Sequence, residues 1–174
     1  MKLMQTIHSY DVSVFTWVMH RKSQKFLVRC ARGISKTGDG LLYLLLALGP
    51  LWTQGAEELH LLACMAVALL VERPLYFVLK NACKRDRPPA ALNIKSFIVP
   101  SDRFSFPSGH TSAAFLMATL WGWYLPALLP ALFVWAVLVG MARVILGVHF
   151  PTDTLIGALM GVGAALLSLG VVLA

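Results

Sequence analysis

Residues 108–174 read SGHTSAAFLMATLWGWYLPALLPALFVWAVLVGMARVILGVHFPTDTLIGALMGVGAALLSLGVVLA, and in all that length only Arg143 and Asp153 are charged. A helix that crosses a bilayer needs about 20 predominantly apolar residues. The stretch divides into three such segments: 108 to about 125, 127–145 beyond the punctuation of Pro126 and Pro130, and 152–173. Gly157 and Gly161 form a G-x-x-x-G pattern in the last segment, which marks close helix packing. A bundle of this size has internal contacts for that pattern to serve before any second copy does. Upstream, residues 59–79 are long enough for another span but contain Glu72 and Arg73, charges that in a membrane must face protein and find partners. The apolar run 41–49 is short, and reaches bilayer length only by borrowing 34–40 and 50–53, which puts Gly38-Asp39-Gly40 near the interface. The fold expected is all-α, a polytopic membrane bundle of about five transmembrane helices.

Composition agrees. Of 174 residues 58% are apolar and 13% charged, with a mean hydropathy of +0.73, where an ordinary soluble domain has about a quarter of its residues charged. Fifteen Lys and Arg against eight Asp and Glu leave +7, a balance that suits anionic headgroups or a phosphate-bearing substrate. The hydropathy argues against nucleic acid. Cys30, Cys64 and Cys83 are an odd count with no C-x-x-C pair, so neither a disulfide framework nor a zinc site is indicated. Residues 1–36 interleave Lys2, Arg21, Lys22, Lys25, Arg29, Arg32 and Lys36 with Val14, Phe15, Trp17, Val18, Phe26 and Leu27. They are expected to form a basic helix in the membrane interface, set apart from an embedded domain over 37–174; an ordinary solvated helix or a disordered arm is the alternative. No signal peptide is evident, because a basic stretch follows the short apolar run where a cleavage site should be, so the mature chain is expected to start near Met1.

Residues 80–107, between the second and third spans, are polar, punctuated by proline and too long for a simple helix connection; such loops carry function. Five crossings return Lys80, Ser108, Arg143 and Asp153 to one face. The ring there holds Lys80, Lys84, Arg85, Arg87 and Arg143 as cations, His110 and His149 as groups that titrate near neutrality, and Asp86, Asp102 and Asp153 as carboxylates. Cations dominate, so the expected guest is an anion. Ser108 is placed to cap the helix it precedes, whose free N–H groups make an anion site. Gly109 allows a phosphate close to the backbone, and His110 can reach the same anion as a proton donor. Alone, Pro107-Ser108-Gly109-His110 reads better as a capped helix with an interfacial His. His149 precedes a helix with Pro151 in its first turn, and Asp153 can hold one imidazole nitrogen, leaving the other free to attack. An unrelated His beside a carboxylate at a helix N-terminus is the alternative there. Together these residues supply what phosphoryl transfer needs: positive charge and fixed donors, an in-line nucleophile and an acid. Spacings typical of metal ligands are absent from the sequence.

Lys80, six residues, Arg87-Pro88; Pro107-Ser108-Gly109-His110; and Arg143, five residues, His149, three residues, Asp153 resemble the three signature motifs of the type 2 phosphatidic acid phosphatase superfamily. These are integral-membrane lipid phosphatases that share a fold with vanadium haloperoxidases. The resemblance implies a metal-independent reaction without cofactor. In it His149 forms a phosphohistidine, Asp153 orients it and His110 protonates the leaving group. Lys80, Arg87, Ser108, Gly109 and Arg143 would bind the phosphoryl oxygens. The third motif usually begins Ser-Arg, and here it is Ala142-Arg143, which implies altered efficiency or preference. Glu72, Tyr76 and Lys80 fall at i, i+4 and i+8, so Glu72 either tunes Lys80 or pairs with Arg73 or a neighbouring helix.

Among short bacterial relatives the resemblance points first to undecaprenyl pyrophosphate as substrate, with phosphatidic acid and phosphatidylglycerol phosphate as close rivals, in the cytoplasmic membrane. A non-catalytic lipid-phosphate carrier is the alternative of another class, although simple binding needs no nucleophile, orienting carboxylate and acid together. The soluble haloperoxidases carry the same motifs, but their solubility sets them apart from this chain. Seven Lys and Arg in residues 1–36, six in 80–103 and Arg143 share one face, which by the positive-inside rule is cytoplasmic; pyrophosphate recycling suggests the outer face. The sequence leaves both this orientation and the oligomeric state open.

Overall fold

The structure, a computed structural model, describes residues 2–20, 24–53, 55–100 and 102–174. In chain order its helices are α1 (Lys2–Met19), α2 (Gln24–Thr37), α3 (Gly40–Thr53), α4 (Ala56–Cys83), α5 (Pro88–Leu92), α6 (Gly109–Tyr124), a single 3₁₀ turn (Pro126–Leu128), α7 (Leu129–Ile145) and α8 (Pro151–Val172). No strand forms among the described residues, and Asp86 and Phe104 pair in an isolated bridge. The architecture is an all-α membrane bundle.

Ala56–Cys83, Pro126–Ile145 and Pro151–Val172, of 28, 20 and 22 residues, are long and apolar enough to cross a membrane. The expected third span, α6, has 16 residues, about 24 Å at ~1.5 Å per residue. Its shortness is tolerated because α4, α7 and α8 surround it; Ala114, Leu116, Ala118 and Leu120 are fully buried. The expected first span is shorter than the sequence suggests. Residues 34–37 end α2, Gly38 and Asp39 turn the chain, and α3 begins only at Gly40, giving 14 residues. The turn is tight: a Cβ on Gly38 would stand 2.9 Å from Cγ1 of Val139.

Inside a bilayer apolar side chains gain little by leaving lipid, so close packing of small residues holds helices together. Gly157 and Gly161 serve that purpose within the chain. A Cβ on Gly157 would lie 2.5 Å from the Ser108 carbonyl oxygen, and one on Gly161 would meet the Ser112 carbonyl oxygen and the Leu116 nitrogen. The backbones of α8 and α6 therefore touch. Beyond this contact, Leu61, Cys64, Met65, Leu116, Leu120 and Ala165 interlock α4, α6 and α8.

The N-terminal region forms two helices where one was expected; Arg21 and Lys22 of the basic stretch lie outside the described residues. Both helices pack on the bundle, α1 against α7 and α8, and α2 against α7. Val28, Ala31 and Ser35 form the buried face of α2, while Lys25, Arg29, Arg32 and Lys36 are exposed. Phe15 of α1 is buried with Val144 and Phe150 at the corner between α7 and α8.

Candidate active site

The ends of α4, α6 and α7 and the turn leading into α8 enclose a cavity of about 240 Å³, lined among others by Lys80, Arg87, Gly109, His110, Arg143 and His149. Ser108 and Asp153, also expected at the site, stand behind its wall. Lys84 and Asp86 are exposed and take no part in the lining.

His149 lies in the turn between α7 and α8. Gly147, at φ +77°, lets that turn form, a conformation other residues adopt only under strain. The imidazole is 2% exposed, and its Nε2 stands 3.3 Å from an NH1 of Arg87. A guanidinium only donates, so Nε2 is the accepting nitrogen and the proton is assigned to Nδ1. That Nδ1 faces Oδ2 of Asp153 at 3.7 Å, beyond hydrogen-bond length, and has no other partner among the described residues. Burial drives the His149 pKa down to about 4; Asp153 opposes the shift, and the charges of Arg87 and Arg143 reinforce it. The ring is neutral at pH 7, with its lone pair at Nε2.

Asp153, the third residue of α8, is fixed from several sides. Its Oδ2 accepts from Ser105 Oγ at 2.7 Å and from the Phe150 N–H at 2.8 Å, the latter being one arm of a capping box. Its Oδ1 accepts from Arg85 at 2.9 Å. Arg85 also donates to Asp11 at 2.6 Å and to Thr152 Oγ1 at 2.8 Å, and Asp11 accepts the Thr152 N–H at 3.0 Å. Ser105 and Asp11 are missed by sequence reasoning, and Arg85 has no role in it beyond the ring. One signal was available: Asp11 is the only acidic residue among 1–36, in a segment with seven cations.

On the cation side, Asp102 spans Lys80 and Arg87. Lys80 Nζ donates to its Oδ2 at 2.8 Å, Arg87 NH2 to its Oδ1 at 2.6 Å and Arg87 Nε to its backbone oxygen at 2.9 Å. Arg87 NH1 is anchored on the Val148 carbonyl at 2.7 Å. Burial would raise the Asp102 pKa, but the hydrogen bonds and charges of Lys80 and Arg87 outweigh it and hold the carboxyl below the usual range. Lys80 also donates to the Tyr76 hydroxyl, which donates to Asp102 at 3.1 Å. Lys80 thus has Asp102 as its carboxylate partner. Glu72 pairs with Arg73 and accepts from Ser112 Oγ at 2.6 Å, the second of the two alternatives left by the sequence.

Arg143 donates to Ser35 Oγ of α2 at 2.8 Å, and its buried Nε has no partner among the described residues. His110 Nε2 donates to Asp39 Oδ1 at 3.1 Å, across to the turn between α2 and α3. Gly109 lies against the Tyr76 ring, where a Cβ would be 3.0 Å from Cε2. Ser108 occupies the N-cap position of α6, yet its hydroxyl pairs with Thr111 Oγ1 at 2.9 Å, and its N–H donates to the Asp153 carbonyl at 2.9 Å. The first-turn N–H groups of α6 therefore receive no cap from Ser108. Ala142 packs in an apolar cluster with Val28, Ala31 and Leu146, away from the cavity. Among the described residues no group of three His, Cys, Asp or Glu gathers as a metal site.

A model of the PAP2 superfamily matches residues 57–174. The decaprenylphosphoryl-5-phosphoribose phosphatase of Mycobacterium tuberculosis is 33% identical over 159 residues, 83% of this chain and 81% of that one. Phosphatidylglycerophosphatase B of Bacillus subtilis is 38% identical over 108 residues, 56% of this chain and 51% of its own. Among solved structures, LpxE of Aquifex aeolicus superposes with a TM-score of 0.77 at 27% identity, covering 91% of this chain and 94% of that one. The transmembrane PAP2-type phosphatidylglycerolphosphate phosphatase of Bacillus subtilis gives 0.75 at 29%, covering 95% and 86%. With the family match running from α4 to the end of the chain and the Mycobacterium and Bacillus relatives named as phosphatases, the chain belongs to the PAP2 superfamily and is a membrane phosphatase.

Proposed function

We propose that the protein removes a terminal phosphate from a membrane lipid through a phosphohistidine on His149, in the bacterial cytoplasmic membrane. The observation that carries this reading is that the neutral Nε2 of His149 meets the same cavity as Lys80, Arg87 and Arg143. In the first step the Nε2 lone pair attacks phosphorus, the bond to the leaving oxygen breaks, and His110 gives that oxygen a proton. Asp153 holds the proton on Nδ1 and balances the charge that grows on the ring. Lys80, Arg87, Arg143 and the backbone around Ser108 and Gly109 stabilise the equatorial oxygens. Water then attacks phosphorus, the P–N bond breaks, and His110 takes the water's proton as inorganic phosphate leaves. The side chains meet the charge requirement without a metal.

Undecaprenyl pyrophosphate is the first candidate substrate; the prenyl lipid in the name of the Mycobacterium relative favours a polyprenyl chain. Phosphatidylglycerol phosphate comes second, favoured by the names of the Bacillus relatives, and phosphatidic acid stands beside it. The exposed basic face of α2 suits anionic headgroups, so residues 1–36 are proposed to lie at the membrane interface beside the embedded domain. The test is phosphate release by detergent-purified protein from these lipids in EDTA. Release that vanishes in His149→Ala is expected. Binding of lipid phosphate without release from any of them, by folded protein, would overturn the reading in favour of a carrier.

A further inference from the structure

Helix α8 begins Pro151-Thr152-Asp153 behind Phe150, whose side chain in the N-cap position has no oxygen to offer the free N–H groups of the first turn. The acceptor comes from α1, 141 positions earlier in the chain: Asp11 Oδ1 takes the Thr152 N–H at 3.0 Å, and its Oδ2 accepts from Thr152 Oγ1. Oδ2 also accepts from Arg85 at 2.6 Å. With its other terminal nitrogen the same guanidinium reaches Asp153 Oδ1 at 2.9 Å, and it lies over the Phe150 ring, 4.4 Å from the centroid. Phe15, one turn along α1 from Asp11, meets that ring edge-on at 5.6 Å. The residue next to His149 is thus clamped between α1 and Arg85.

The charges point the same way. Asp11 and Asp153 are both fully buried and share one cation, Arg85. Buried carboxylates are costly unless paired and hydrogen-bonded, so two of them on one guanidinium is a poor arrangement for stability alone. The positive end of α8 offsets part of the excess. The remainder stays beside the group that gains positive charge in the reaction, the ring of His149, which Asp153 faces. Without Asp11 the guanidinium would belong to Asp153 alone and neutralise it.

We propose that Asp11 is a positioning residue for the nucleophile: it fixes the first turn of α8 and the Arg85 guanidinium so that the Asp153 carboxylate stands charged and aligned behind His149. This rests on the phosphatase reading above. Among the described residues none of the hydrogen bonds of Asp11 goes to Lys80, Arg87 or Arg143, so phosphate binding should not depend on it.

The test is phosphate release by purified variants from the lipid that the unmodified protein turns over best. Asp11→Asn is expected to lower kcat about 20-fold, with KM and inhibition by inorganic phosphate within about twofold of the parent, the pattern of lost alignment. Asp11→Glu keeps the charge, which the long Arg85 side chain can follow, and is expected to recover all but about threefold of that loss. A packing role reverses the order, because Asn has the shape of Asp and Glu does not. On an Asp153→Asn background, Asp11→Asn is expected to add less than about twofold, since the two act as one unit. Val12→Ala trims α1 where it packs near Phe15 and is expected to lower Tm while leaving kcat within about twofold. Parent kcat in Asp11→Asn, a loss carried by KM, a loss as large in Asp11→Glu or Val12→Ala, or the full loss on the Asp153→Asn background would each overturn the proposal. If Asp11→Asn does not fold, Arg85→Lys decides: a comparable loss of kcat at unchanged KM is expected, and parent kcat overturns it. The ring can also be read without turnover, from the proton–nitrogen signal of His149 Nδ1–H, assigned by its absence in His149→Gln. It is expected to move in Asp11→Asn and not in Val12→Ala; an unmoved signal in Asp11→Asn overturns the proposal. Absence of phosphate release from every lipid by the unmodified protein would instead count against the phosphatase reading, with this signal still deciding the role of Asp11.

Discussion

Nδ1 of His149 stands 3.7 Å from Oδ2 of Asp153, and that oxygen already accepts from Ser105 and from the Phe150 N–H. The carboxylate is fixed and the imidazole has still to move a few tenths of an ångström to meet it. A guest that pulls Nε2 off Arg87 can rotate the ring, so the His–Asp hydrogen bond would tighten as the anion enters, as apo catalytic contacts commonly do.

Replacing that carboxylate with its neutral isostere tests the pair. Asp153→Asn keeps an acceptor for the Phe150 N–H but removes the charge that stabilises a protonated or phosphorylated ring. Turnover should fall at least ~10³-fold, the scale known for losing such an orienting carboxylate. Circular dichroism and elution volume should stay unchanged. Activity within tenfold of the parent would contradict the assignment.

The low pKa of His149 predicts where acid acts. In the folded protein the ring protonates only near pH 4, while in the unfolded chain it does so near 6.5. Between these values the unfolded state binds the proton and the native state does not, so stability falls as pH drops from about 6.5 and the loss is complete below about 4. The contribution is on the order of 3 kcal/mol. The acid limb of kcat/KM should lie near pH 4 as well, and His149→Gln should flatten this part of the thermal-stability profile.

Asp102 holds donors that an incoming phosphate would use. Asp102→Asn should tighten competitive inhibition by vanadate about fivefold or more, because the internal anion that competes for Lys80 and Arg87 is gone. Asp102 is part-exposed but Lys80 and Arg87 are buried, so loss of the charge should also lower the Tm of the unliganded protein, and vanadate should restore it. Weaker vanadate inhibition would assign Asp102 to building the site and not to shielding it.

Contact between α6 and α8 allows a sharper test of packing. Gly161→Val puts atoms where the Ser112 carbonyl stands, while Gly163 has nothing within 4 Å of a new Cβ. Gly161→Val should lose at least ~2 kcal/mol of stability, seen as a lower Tm in detergent. Gly163→Ala should match the parent.

The C-terminal half of this architecture is legible in the sequence because apolar length, proline punctuation and the G-x-x-x-G spacing are local properties. Gly157 and Gly161 face α6 as that spacing suggests. His110, His149, Lys80, Arg87 and Arg143 are legible as a group, since topology alone returns them to one end. What escapes is pairing at long range. Nothing in the periodicity of 1–36 says that Asp11 meets Arg85, or that Ser35 meets Arg143. The boundary of α3 escapes for a different reason: the apolar run 41–49 is too short to span a bilayer alone, so residues 34–40 are borrowed for length although Ser35, Lys36 and Thr37 are polar, and the chain turns at Gly38, packed against Val139.

The family match begins at residue 57, yet Asp11, Ser35 and Asp39 all lie before it and reach Arg85, Arg143 and His110 respectively. The motif residues and the side chains that hold them or their neighbours are thus encoded in separate stretches of chain. Substitutions in the first 40 residues are expected to change how Arg85, Arg143 and His110 are held without touching a motif residue. Variation in this leading segment is then expected to change rates while leaving every motif residue as it is.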